Sequence, residues 1–166
     1  MLLTGLLPDI TTDPAIETAT DSVEAGRSGT IVAPVGIRPP LLAAVASRAA
    51  TPLVVLTATG RDAESLTNAL ASWIPGVAML PAWETLPHER LSPQVDTMAR
   101  RIAVLRRLVH PIKGDDSAGP LSVLVVPIRA FLQPIISGLA DLEPVRVRTG
   151  DILDLTETTN RLAELG

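Results

Sequence analysis

Four short runs of this chain, residues 30–33, 53–57, 77–80 and 121–126, are almost entirely apolar instead of alternating apolar with polar. A strand with one face in water alternates with period two, whereas a strand apolar at nearly every position needs cover on both faces. Between the runs, apolar residues recur every three to four positions. Leu41, Leu42, Val45, Ala46 and Ala49 make one such stripe, and Leu66, Leu70 and Trp73 another. Strand and helix in alternation imply a mostly parallel sheet flanked by helices, because a parallel pair needs a crossover long enough to hold a helix. The expected fold class is therefore α/β.

Local signals set the expected boundaries. Pro39 and Pro40 suit a helix entrance, where a missing N–H costs little. Asp62 favours the amino end of the following helix, and Pro75-Gly76 stops it. Ser92 as N-cap and Pro93 as first helical residue would open a helix running roughly over 94–109. In that helix Val95, Met98, Ile102, Leu105 and Val109 form the expected buried face, with Arg100, Arg101, Arg106 and Arg107 away from it. A short helix should begin within residues 127–136, interrupted or ended by Pro134. Residues 145–147 suit a fifth strand, and 155–165 a last amphipathic helix. Asp9, Asp13, Glu17, Asp21 and Glu24 all precede the first base, Arg27. The expected organisation is an acidic arm or helix over 1–29, an α/β domain over 30–142, and the start of a second domain over 143–166.

Composition excludes several function classes. Hydrophobic residues make up 46% of the 166 residues, enough for a real core, but the aromatics are only Trp73, Trp83 and Phe131. The core must be aliphatic. A net charge of −4 argues against a domain that holds nucleic acid by itself. With no cysteine there is neither a disulfide framework nor a thiolate metal site. Residues 1–9 lack a basic leader pattern, and no apolar run approaches the ~20 residues of a membrane span. The expectation is a soluble cytoplasmic protein.

In such a fold a phosphate site would lie in the loop after the first strand. Here that loop reads Ala33, Pro34, Val35, Gly36, Ile37, Arg38, then two more prolines. A working phosphate loop needs glycines that aim N–H groups at phosphate, a lysine, and a Ser or Thr for magnesium. The loop has one glycine, and the chain's single lysine, Lys113, sits elsewhere. The turn at 57–61 offers one glycine and reads as a strand-to-helix connection. His88 and His110 show no metal-ligand spacing. His88 with Glu84 and Glu89 could suggest acid–base chemistry but lacks a nucleophile. The expectation is no catalytic residue, no metal and no cofactor. Six bases against one acid occupy residues 90–113. They make Arg100, Arg101, Arg106 and Arg107 a candidate partner face, against the plainer reading of a solvated helix with an Asp96–Arg100 pair.

The segment containing Trp83, Glu84, Thr85, Leu86, Pro87, Ser92 and Pro93, followed by Asp96 and Arg101, resembles a signature of the transcription-repair coupling factors. Residues 52–57 and 123–127, and Leu132-Gln133 after them, resemble further stretches of that family. The resemblance covers most of the chain from about residue 30 onward. It implies a nucleotide-hydrolase-like domain similar to the first domain of the excinuclease B subunit, with a degenerate phosphate loop and no ATP site. It also implies a non-catalytic module that links stalled RNA polymerase to nucleotide excision repair by recruiting the excinuclease A subunit and by restraining the full-length protein. The ATP-driven DNA translocase and the polymerase and DNA contacts would lie downstream. The A-subunit contacts belong to the family's second domain, of which 143–166 would be only the opening.

Two other function classes compete. A small α/β enzyme acting on a nucleotide or phosphate ester would need glycine-rich loops and a polar pocket at the strand ends. A DNA-contacting domain would use the face from Arg100 to Arg107. Two further expectations concern packing. Trp83 should anchor the proline-rich segment, and a sheet this small should expose an unfinished edge or self-associate.

Overall fold

The computed structural model of the protein describes residues 3–84, 94–143, 145, 150 and 152–165. The acidic amino-terminal stretch is helical. It forms α1 (Leu7–Thr11) and α2 (Pro14–Glu24), with Pro14 in the first turn of α2 and the Asp13 side chain capping it by accepting from the N–H groups of Ala15 and Ile16. A 3-10 turn, Val35–Ile37, leads into α3 (Arg38–Arg48), which carries Pro39 and Pro40 in its first turn. Then come β1 (Leu53–Thr57), α4 (Gly60–Leu70), β2 (Val77–Met79), α5 (Val95–Val109), β3 (Val123–Pro127), α6 (Ile128–Phe131) and α7 (Leu155–Leu165).

The three strands form one parallel sheet in the order β1-β3-β2. The last strand in sequence is thus the central one. Each of its residues is buried, as an apolar run covered on both faces should be. On one face Val123 and Val125 join Leu70, Ala63, Ile74, Ala43, Ala46 and Leu7. On the other, Leu124 and Val126 meet Leu80, Leu121, Ala130 and Val104 of α5. Leu7 brings the amino-terminal helices into the core. Arg48 fastens them further, its Nη2 lying 2.9 Å from Asp21 and its Nε 2.8 Å from Glu24. Exposed ion pairs of this kind contribute little individually, so burial of Leu7 and Thr20 carries most of the docking.

Three expectations need correction. Residues 30–33 form no strand; Ile31 is 55% and Val32 96% exposed. β-branched residues favour a strand only where a neighbouring strand completes the ladder, and no described strand does so here. The buried face of α5 is also different. Thr97, Arg101, Val104 and Leu105 are buried, whereas Val95, Met98 and Val109 are exposed. The apolar stripe was legible, but the helix is rotated toward the side that holds Arg101. Val145 lies in no strand, and Val147 falls outside the described residues, as do Ser92 and Pro93; Gln94 is the N-cap of α5.

Thr59 caps α4: its hydroxyl accepts from the Asp62 N–H and donates to the Asp62 carboxylate at 2.8 Å. The helix ends at Leu70, with Ala71 as its C-cap, ahead of the expected stop at Pro75-Gly76, which instead turns the chain into β2. Gly76 has φ +74, and a Cβ there would lie 2.9 Å from the Pro120 carbonyl oxygen. Its own carbonyl accepts from Ser122 at 2.8 Å and from Val123 at 3.2 Å, at the entry to β3. Gly76→Ala should therefore destabilise the protein by ~1–3 kcal/mol. Gly60→Ala, which meets open space at the start of α4, should be neutral or stabilising by up to ~1 kcal/mol. Urea denaturation of both variants checks this contrast.

Candidate functional site

Past Met79 the chain leaves the sheet but stays ordered by substitutes for a ladder. The Leu80 N–H still reaches the Val125 carbonyl at 3.0 Å. Beyond it, side chains take over the bonding that strands would provide. Arg101 Nη1 donates to the Pro81 carbonyl at 2.6 Å. Gln133 holds Trp83 at both backbone atoms: its Oε1 accepts from the Trp83 N–H at 2.7 Å and its Nε2 donates to the Trp83 carbonyl at 3.2 Å. Arg129 Nη2 donates to the Glu84 carbonyl at 3.2 Å, and the Thr97 hydroxyl donates to the Glu84 carboxylate. The segment 81–84 is thereby clamped by residues from α5, α6 and the turn after α6.

Arg101 is the centre of this clamp. It is fully buried, with its guanidinium carbon 4.5 Å from the centroid of the Trp83 ring. A desolvated cation over a tryptophan face contributes ~2 kcal/mol or more. Nε and Nη2 have no partner among the described residues, and burial pushes the guanidinium pKa down. Unpaired buried donors oppose folding, so the stacking and the Pro81 bond work against a desolvation penalty. The Thr97 hydroxyl holds the Glu84 carboxyl below the usual carboxylate range.

The motif residues read from sequence divide three ways. Trp83, Glu84 and Arg101 meet in the clamp. Asp96 pairs instead with Arg100 on the solvent side of α5, at 2.8 Å. Thr85, Leu86, Pro87, Ser92 and Pro93 lie outside the described residues, as do His88 and Glu89. The candidate basic face does not form one surface. Arg101 is inside. Arg106 donates to the Leu142 carbonyl at 2.8 Å, and Arg107 to the Gly119 carbonyl at 2.8 Å. Only Arg100 stands in solvent with its ion pair. Thr97, Arg129 and Gln133 were not singled out as clamp residues from sequence, since their partners lie 13, 45 and 50 positions away. The match of Leu132-Gln133 to the family pattern was the one available signal.

A concavity of about 610 Å³ lies at the carboxyl end of β1 beneath residues 31–42. Its walls are mostly apolar, with Arg38, Thr57, Asp62 and Ser65 as polar members. In the neighbouring loop two donors are used internally: the Ile37 N–H reaches the Pro34 carbonyl at 3.0 Å, and the Arg38 N–H the Val35 carbonyl. Among the described residues no three His, Asp or Glu groups are placed to hold a metal ion, and no helix is long and apolar enough to cross a membrane.

Two tests follow from the clamp. Arg101→Ala should cost ~3–5 kcal/mol, because it leaves a cavity under Trp83 and an orphaned Pro81 carbonyl. Arg101→Met should lower the melting temperature less than half as much, since an apolar side chain fills the space without two unpaired donors. In addition, the Glu84 contribution should be complete above the unfolded carboxylate pKa of ~4.3 and vanish as pH falls through the lower folded value. Glu84→Gln should thus flatten the acid limb of the stability–pH profile while leaving the limb above neutrality unchanged.

No family model matches the chain. Among curated proteins, the transcription-repair-coupling factors of Mycobacterium bovis and Mycobacterium tuberculosis are each 45% identical to it over 139 residues. That region is 82% of this chain and 11% of each relative. The transcription-repair-coupling factor of Escherichia coli is 29% identical over 96 residues, 57% of this chain and 8% of that protein. The chain is therefore a homologue of the transcription-repair-coupling factors, matching an amino-terminal fragment of that much longer protein.

Proposed function

We propose that the chain is part of a non-catalytic module of a transcription-repair-coupling factor, a module that connects stalled RNA polymerase to nucleotide excision repair by recruiting the excinuclease A subunit and by restraining the full-length protein. The observation that carries this reading is the 45% identity over 139 residues. Polymerase binding, DNA contact and ATP-driven translocation would reside in downstream parts of the parent.

We read residues 30–142 as a nucleotide-hydrolase-like domain whose phosphate loop, Ala33 to Arg38, is degenerate. The chemistry of the loop supports this. Pro34, Pro39 and Pro40 have no N–H to offer. The N–H groups of Ile37 and Arg38 are already used within the loop. The single lysine of the chain, Lys113, is exposed in the loop after α5. Residues 1–29 would be an accessory helical arm, and 143–166 the opening of a second domain that bears the A-subunit contacts.

Titration calorimetry tests the first part: Mg-ATP should bind no tighter than about 100 μM, roughly 5.5 kcal/mol. A tighter complex would favour the competing reading of a nucleotide-binding enzyme using the concavity at Thr57. For recruitment, the excinuclease A subunit should bind a longer amino-terminal piece of a relative and bind this chain weakly or not at all. Failure of the longer piece would remove the recruiting role.

A further inference from the structure

From 131 to 143 no residue is buried, although this stretch returns from α6 to pack on α5. Leu132, Ile135 and Ile136 are exposed. A single 3-10 turn, Leu139–Asp141, closes the return. Gly138 enters it at φ +81, a conformation that strains residues with a side chain. A Cβ there would meet nothing, so the backbone angle and not the space calls for glycine. Within the turn the Asp141 N–H donates to the Gly138 carbonyl at 2.9 Å, and the Leu139 N–H to the Ile136 carbonyl at 3.3 Å.

Polar contacts fasten this turn to the body. Arg106 Nη1 donates to the Leu142 carbonyl at 2.8 Å and to the Ala140 carbonyl at 3.4 Å. One helical turn further on, His110 Nε2 stands 2.7 Å from the Asp141 carboxylate, with the two side chains 47% and 65% exposed. Both side chains come from the carboxyl end of α5, where Arg and His are favoured beside unpaired carbonyls, and His110 is its C-cap. The helix itself is held by buried Val104 and Leu105. Burial thus anchors α5 but not the turn lying on it. Apolar burial supplies most of what resists opening, and segments without it open locally at far less than the cost of global unfolding.

We propose that residues 139–142 form a releasable latch, a unit that opens while the sheet stays folded. Arg106 and His110 are its two catches and Gly138 is its pivot. Closed, the latch fixes the direction in which the chain leaves the α/β body at Leu142. Open, it frees that direction without disturbing β3. These contacts all lie within this chain, so the latch operates whatever follows it in a longer protein.

Amide hydrogen exchange of the 166-residue chain, followed residue by residue by NMR, provides the test. Relative to their intrinsic rates, the Leu139 and Asp141 amides should exchange at least about a hundredfold faster than those of Leu124 and Val125. Variants on α5 leave the sequence of the turn unchanged, so its intrinsic rates stay fixed. Arg106→Met removes charge-assisted bonds and should speed the two turn amides by about tenfold or more. His110→Ala removes an exposed pair and should speed them by about two- to fivefold. In both variants the amides of Leu124 and Val125 should change by less than about twofold. If Arg106→Met does not fold, His110→Ala, at an exposed position, gives the same readout. Turn amides as slow as those of β3, or β3 accelerated as much as the turn, would make the turn part of the global folding unit and overturn the proposal. Turn amides unchanged by both variants would overturn it as well, by removing the catches.

Discussion

Burial of β3 on both faces is the constraint from which the rest of the structure follows. Val123, Leu124, Val125 and Val126 are all at most 5% exposed. At ~1.5–3 kcal/mol for each fully buried aliphatic side chain, this one strand supplies an apolar term comparable to the ~5–15 kcal/mol net stability of an ordinary domain. Both partner strands, the helices on either side and the amino-terminal helix bearing Leu7 are arranged to exclude water from it. Because β3 comes late in the chain, most of these contacts join residues far apart in sequence, and the amino-terminal half has no complete core until β3 arrives.

The clamp around Trp83 solves a different problem. After β2 the chain must leave the sheet without leaving buried backbone groups unpaired. Three side chains, those of Arg101, Arg129 and Gln133, do what a neighbouring strand would do, and they come from two helices and a turn that are themselves seated on β3 through Val104 and Ala130. The arrangement costs one buried guanidinium with two nitrogens that have no partner among the described residues. That cost is tolerable because Arg101 replaces both a hydrophobic filler beneath the Trp83 ring and a donor to Pro81. The described opening of that motif, residues 81–84, is thus structurally an anchored segment.

The same logic explains why the arginines of α5 do not act together. At 100° per residue, Arg101 and Arg106 point to different sides of the helix, while Arg100 and Arg107 share a side two turns apart, and each finds its own acceptor: Arg100 Asp96, Arg101 Pro81, Arg106 Leu142 and Arg107 Gly119. A count of bases in a window of sequence measures charge density along the chain. It does not measure charge density on a surface. The acidic amino-terminal helices likewise spend Asp21 and Glu24 on Arg48.

Several features were determined by the sequence alone: the α/β class, the strands near 53–57, 77–80 and 121–126, the entrance to α3 at its prolines, the Asp96–Arg100 pair and the last helix. Each depends on local rules of periodicity, capping or steric freedom that need no distant partner. Family kinship was legible too, through the long motif around Trp83. Tertiary structure decided what local rules could not. It left 30–33 outside the sheet because no described strand is placed to pair with it. It turned Arg101 inward because Trp83 and Pro81 offered a stack and an acceptor. It brought Gln133 onto Trp83 from 50 residues away. A strand or a buried charge is stable only with its partner, and the partner is chosen by the fold.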